Sequence, residues 1–113
     1  MSMPSTISVI LPTYNERENI GKLINSILNV MRSSTEIIVV DDDSPDKTWK
    51  VVEKITRKNK NVTLFRRHKK GLASAIADGI ALSKGNVIVW MDCDFSVQPR
   101  FIPKVVDAVN HCD

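Results

Sequence analysis

The sequence predicts an α/β fold in which a mostly parallel sheet is flanked by helices, and three patterns carry that expectation. Short β-branched or apolar runs alternate with longer stretches whose apolar residues recur at helical spacing. The run EIIVV at 36–40 is nearly continuous, as in a strand buried on both faces. Polar and acidic residues follow the runs at once, where loops at the carboxyl ends of parallel strands gather ligands. With 113 residues, 42% of them hydrophobic and 26% charged, the chain reads as one unit spanning 1–113.

The first strand is ISVILP, from Ile7 to a stop at Pro12, because proline has no amide hydrogen for a central ladder. Asn15 with Glu18 fits a helix N-cap and its reciprocal glutamate. Ile20, Leu23, Ile24, Ile27, Leu28 and Met31 then form an apolar stripe. A break at 33–35 precedes EIIVV. Ser44 and Pro45 read as the N-cap and first residue of a second helix, with Thr48, Val51, Val52 and Ile55 on one face. RKNKN at 57–61 predicts a turn, 62–65 a third strand and 66–70 a basic loop. Leu72, Ala75, Ile76, Gly79, Ile80 and Ser83 recur at helical spacing, with small residues where helix and sheet can approach closely. Gly85 lies near that helix's end, and 87–91 predicts a fourth strand. Residues 92–98 read as a loop, after which Pro99 opens a fourth helix burying Ile102, Val105, Val106 and Val109. Four strands alternating with four helices imply right-handed crossovers.

Several function classes lose support. No apolar run approaches the roughly 20 residues needed to span a bilayer, and MSMPSTISV lacks the features of a secretory signal. The chain is therefore expected to be soluble and to stay inside the cell. Cys93 and Cys112 belong to no C-x-x-C pair, which argues against a zinc finger or disulfide scaffold. A net charge of +3 fits an anionic ligand, and nucleic acid is not an expected partner. GxGxxG and GxxxxGK[ST] are absent near the early strands.

Three segments should converge on the carboxyl edge: PTYNE at 12–16, VDDDS at 40–44 and MDCDF at 91–95. Asp42 or Asp43 alone reads first as a helix cap. Asp92 and Asp94 follow an apolar strand directly, and two carboxylates at such an edge need a compensating cation. Mg²⁺ or Mn²⁺ fits, since either takes oxygen ligands and bridges to a diphosphate. Cys93 between them reads as packing. Tyr14 offers a ring to stack on a base, and Asp41 can accept hydrogen bonds from base amides or a ribose hydroxyl. Arg66, Arg67, His68, Lys69 and Lys70 form either a phosphate-gathering loop or a solvated one. His68 and His111 lack a nucleophile partner, Trp49 and Trp90 read as packing, and the sequon at Asn61 as chance.

ILPTYNERENI, EIIVVDDDSPDKT, KKGLASAIADG and GNVIVWMDCDFS together resemble the N-terminal catalytic region of family 2 glycosyltransferases, most closely the dolichol-phosphate mannosyltransferases. The resemblance implies a Rossmann-like GT-A nucleotide-sugar-binding fold, here truncated. It implies that Pro12, Tyr14, Glu16, Val39 and Asp41 surround the nucleoside. Asp92, Cys93 and Asp94 would lie along the sugar diphosphate, with Asp94 the best direct metal ligand. Ser96 stands where some relatives carry a metal-contacting glutamine, and Cys93 replaces the commoner alanine. GDP-mannose is the implied donor, with dolichyl or another polyprenyl phosphate as acceptor and inversion at the anomeric carbon. Relatives continue past the position of Asp113, so a membrane-anchoring partner or missing C-terminal region is implied. The whole protein would then work on the cytoplasmic side of the endoplasmic reticulum or plasma membrane.

Two other readings compete. MDCDFSV also fits DxDx[ST]V, in which Asp92 would be the nucleophile of a haloacid-dehalogenase-like phosphotransferase, although only nineteen residues follow Asp94. Alternatively the chain binds nucleotide without turnover.

Overall fold

The computed structural model describes residues 6–30, 35–68, 71–91 and 100–103. Strand β1 (Ile7–Thr13), helix α1 (Arg17–Val30), strand β2 (Thr35–Asp41), helix α2 (Thr48–Lys58), strand β3 (Val62–Arg66), helix α3 (Leu72–Leu82), strand β4 (Val87–Trp90) and strand β5 (Arg100–Pro103) follow one another. They build one sheet ordered β3-β2-β1-β4-β5. The first four strands are parallel and β5 runs antiparallel to β4. The expected α/β architecture is therefore present.

Side-chain alternation along β1 and β2 divides the core into two layers. Val9, Leu11, Ile37 and Val39 pack with Ile20, Leu23, Ile24 and Ile27 of α1 and Val52 of α2. Ile10, Ile38 and Val40 face the other way and pack with Ala75 of α3 and Ile88 of β4. Both strands are thus covered on both faces, which is why they read as continuous apolar runs.

The small residues of α3 matter where it crosses β1. A Cβ built on Gly79 would stand 2.6 Å from Cγ2 of Ile10, a side chain with no exposed surface. Gly79→Ala is expected to destabilise the fold by about 1–3 kcal/mol, the usual cost of overpacking, despite alanine's better helix propensity. Urea denaturation of the variant checks this, and unchanged stability would mean that α3 can move away.

Four sequence expectations need correction. β1 continues through Pro12 to Thr13. Its pairing with β4 ends at Ile10 and Trp90, so the missing proline amide lies past the ladder and costs no bond. Asn15 is not the N-cap of α1: it has φ 56°, and the Glu16 carbonyl accepts the first bonds, from Asn19 and Ile20. Ser44 and Pro45 do not start α2, which begins at Thr48. There Oδ1 of Asp46 accepts from the Thr48 amide at 3.0 Å. Where Pro99 was expected to open a helix, Arg100–Pro103 form β5 instead, pairing Val87 with Pro103 and Trp90 with Arg100. The apolar residues at 101 and 102 suit a strand as well as a helix, and periodicity over so short a run cannot separate the two. Met31, Pro99, Val105, Val106, Val109, His111 and Cys112 lie outside the described residues.

Candidate functional site: a cleft at the carboxyl edge

The strand order reverses between β1 and β4, so their carboxyl ends open a crevice of the kind that takes ligands in open α/β sheets. A cleft of about 260 Å³ lies at this edge, lined by Pro12, Thr13, Tyr14, Asp42, Gly71, Leu72 and Ala75. Pro12 and Tyr14 continue the register of Ile10 toward the α3 face. Tyr14 is 41% exposed and Leu72 52%, leaving an aromatic and an aliphatic surface at one opening. The volume suits a nucleoside better than a whole nucleotide sugar.

Asp41 holds the two strand exits together from beneath. It continues the register of Ile37 and Val39 toward α1 and has no exposed surface. Its Oδ1 accepts from the Thr13 hydroxyl at 2.6 Å and the Ser44 hydroxyl at 2.7 Å. Oδ2 accepts from the Ser44 amide at 2.9 Å. Ser44 Oγ in turn accepts from the Asn15 amide at 2.9 Å. Asp41 is thus part of the cleft's support, with both oxygens already engaged.

Asp42 faces the cleft and belongs to a buried ionic clasp. Arg67 has a side chain only 3% exposed and pairs with Asp42, and with Asp78 at 2.9 Å. Its Nη2 also donates to the Gly71 carbonyl at 2.8 Å and to Ser74 Oγ at 2.9 Å. The Arg67 amide donates to the Asp41 carbonyl at 2.9 Å. Hydrogen bonding to Asp42, opposed by burial, raises the guanidinium's already high pKa. Oδ2 of Asp42 accepts from the Gly71 amide at 3.2 Å, so Asp42 caps α3 rather than α2. Gly71 has φ 141°, a backbone region that disfavours side chains.

The rest of the basic loop divides. Arg66 lies 3.7 Å over the Trp49 ring and 2.7 Å from Asp43, and exposed His68 is 3.2 Å from Asp43. The Arg66 hydrogen bond is the main cause that holds Asp43 below the usual carboxylate range. Its contribution is present above the unfolded-state pKa and is lost as pH falls through the lowered folded value. The phosphate-gathering expectation therefore fails for Arg67, which is internal and saturated by its partners. Lys69 and Lys70 lie outside the described residues.

Of the residues expected around a nucleoside, Pro12 and Tyr14 line the cleft, whereas Asp41 supports it from below. Val39 is in the α1-facing core. Glu16 lies at the start of α1, in a neighbouring groove with Asn15 and Asp46. Asp92, Cys93, Asp94 and Ser96 lie outside the described residues. The Met91 amide donates to the Ile10 carbonyl at 3.2 Å, which puts the residue before Asp92 at the carboxyl edge. Among the described residues no three His, Cys, Asp or Glu side chains are placed to hold a metal, and no helix is long and apolar enough to cross a membrane. Gly71, Leu72, Ala75 and the Arg67 clasp were missed; the only signal was the glycine at the start of a helical pattern.

Comparison with known proteins identifies the architecture. Residues 8–112 match the model of glycosyl transferase family 2. A dolichol-phosphate mannosyltransferase of Pyrococcus furiosus is 42% identical over 106 residues, which cover 93% of this chain and 30% of that protein. One from Saccharomyces cerevisiae is 33% identical over 108 residues, covering 91% of this chain and 40% of the relative. The chain thus spans well under half the length of these two relatives. Among solved structures, the mannosyltransferase PcManGT of Pyrobaculum calidifontis in complex with GDP-Man and Mn²⁺ superimposes with a TM-score of 0.73 at 28% identity. That match covers 82% of this chain and 28% of the other. TarS of S. aureus, residues 1–349, gives 0.71 at 29% identity, covering 93% and 31%. These neighbours are GT-A glycosyltransferases, and they leave the phosphotransferase reading of Asp92 without support. With this cleft at the carboxyl ends of β1 and β2, and with a family match over nearly its whole length, the chain belongs to glycosyl transferase family 2.

Proposed function

We propose that this chain is the nucleotide-sugar-binding part, 1–113, of a glycosyltransferase that moves mannose from GDP-mannose to a dolichyl or polyprenyl phosphate with inversion. The observation that carries the reading is the cleft at the ends of β1 and β2, bordered by the edge from which β4 runs into Asp92. Pro12 and Tyr14 would receive the nucleoside, with Leu72 and Gly71 forming the wall across from them. Asp41 orders the floor, and Val39 and Glu16 act behind and beside it.

Among the described residues, the three aspartates at the end of β2 are poor places for a divalent ion. Asp41 is engaged by hydroxyls, Asp42 by Arg67 and Asp43 by Arg66. A cation on the donor diphosphate is therefore assigned to Asp92 and Asp94, with Ser96 as a further oxygen donor beside Cys93. Mg²⁺ or Mn²⁺ held there would offset charge on the departing nucleoside diphosphate. The acceptor phosphate is already ionised near neutral pH, so no strong general base is needed. The mannosyl donor and metal follow the GDP-Man and Mn²⁺ complex of the structural neighbour, and the lipid phosphate follows the dolichol-phosphate mannosyltransferase relatives. Membrane association on the cytoplasmic face, through a further region or a partner, belongs to the same proposal. Because the chain spans only 30% and 40% of the two relatives, binding without turnover is the second reading for the chain alone.

Calorimetry with GDP, UDP and GDP-mannose, each with and without Mn²⁺, tests the donor site. Guanine preference and tighter binding with metal are expected, and Asp94→Asn should remove the metal enhancement while leaving the fold intact. Equal heats for GDP and UDP, indifferent to Mn²⁺, would overturn the assignment.

A further inference from the structure

We infer that a second anion site lies outside the donor cleft, in a groove of about 210 Å³ lined by Arg17, Lys47, Lys50, Val51 and Lys54. Its ligand class is a phosphate monoester or diester. Arg17 opens α1, Lys47 immediately precedes α2, and Lys50 and Lys54 lie one turn apart on α2.

Four cations line this groove and no acidic residue does. None of the four forms an ion pair among the described residues, whose bridges involve Arg57, Arg66, Arg67 and His68. Of the nearby acids, Glu53 is 3.6 Å from Arg57, and Asp46 accepts from the Thr48 amide and hydroxyl and from the Arg17 amide and also feels the Arg17 charge, so Lys47, Lys50 and Lys54 carry the groove's uncompensated charge. Concentrating positive charge in this way favours an anion that the protein itself does not supply. The groove's single apolar wall, Val51, offers no platform for a base. A phosphate group fits both the volume and the mobile ammonium donors. Arg17 and Lys47 follow the carboxyl ends of β1 and β2, so the groove opens near the same end of the sheet as the cleft.

The phosphate can belong to a lipid headgroup or be free in solution, and two arms on the 113-residue chain separate these sources. In one, inorganic phosphate is titrated while the backbone amide resonances of Arg17, Lys47, Lys50 and Lys54 are followed. In the other, sedimentation measures retention on phosphatidylcholine vesicles with and without phosphatidylglycerol. Saturable shifts at these residues together with retention only on the anionic vesicles support the site with a headgroup as source. Saturable shifts without retention support it with soluble phosphate as source. Lys50→Ala combined with Lys54→Ala should weaken whichever binding is seen by about fivefold per lysine, whereas Lys84→Ala should not. Shifts that fail to saturate, or a double variant that binds like the parent, would overturn the inference. GDP titration of the same samples reports the Tyr14 cleft independently, so failure of the donor assignment leaves this result readable.

Discussion

Arg67→Met is expected to remove about 3–5 kcal/mol of folding stability, the cost of breaking a buried ion pair from one side. The substitution removes the guanidinium that neutralises Asp42, whose side chain is 10% exposed. It also removes the donors to Gly71 and Ser74 at the start of α3. For a small domain with about 5–15 kcal/mol in total, that is a large fraction. Asp78 is 34% exposed, so water can replace much of its share, and Asp78→Asn should cost no more than about 1 kcal/mol. Arg67→Lys should fall between, since an ammonium keeps the charge but cannot reproduce the planar fork. Urea denaturation of the three variants gives the comparison. Arg67→Met within 1 kcal/mol of the parent would mean that the clasp forms without holding the edge together.

Asp41→Asn should cost about 2 kcal/mol and weaken nucleotide binding. The carboxylate accepts three hydrogen bonds without exposure to water. An amide places a donor where one of these donors now points, and charge-assisted bonds are the costlier ones to lose. Ser44→Ala separates support from contact, because it disturbs the same network while keeping the carboxylate. Calorimetry at a temperature where all proteins are folded gives the affinities. If Asp41→Asn and Ser44→Ala weaken GDP binding alike, Asp41 acts by positioning Thr13 and Ser44. A loss confined to Asp41→Asn would make the carboxylate a direct contact.

The strands and helices of 7–90 were legible because burial on both faces leaves β1 and β2 as short continuous apolar runs, while the helices keep an apolar stripe of period 3.6. Tyr14 and Pro12 were legible for a related reason: they follow a strand whose direction the pattern fixes. Asn15, Asp43 and Lys47 show where local preference failed. All three have positive φ without being glycine, and their turns are set by the bonds joining Asn15 to Ser44 and Asp46. Long-range bonds of that kind leave no local signature, so the capping assignments at Asn15 and Ser44 went astray. The same holds for Arg67, which reads as one basic residue among several until Asp42 and Asp78 are seen beside it. β5 was misread because four residues are too few for either period to declare itself.

The central position of β1 also orders events during synthesis. Its β2 side can be satisfied early, by a neighbour that follows one helix later, but its other side waits for β4. Thr6 and Asn86, 80 residues apart, meet at the start of that pairing. Until Trp90 has left the ribosome, a nascent chain therefore carries an apolar strand with one open flank. That interval is when chaperone capture or misassembly would compete with productive folding.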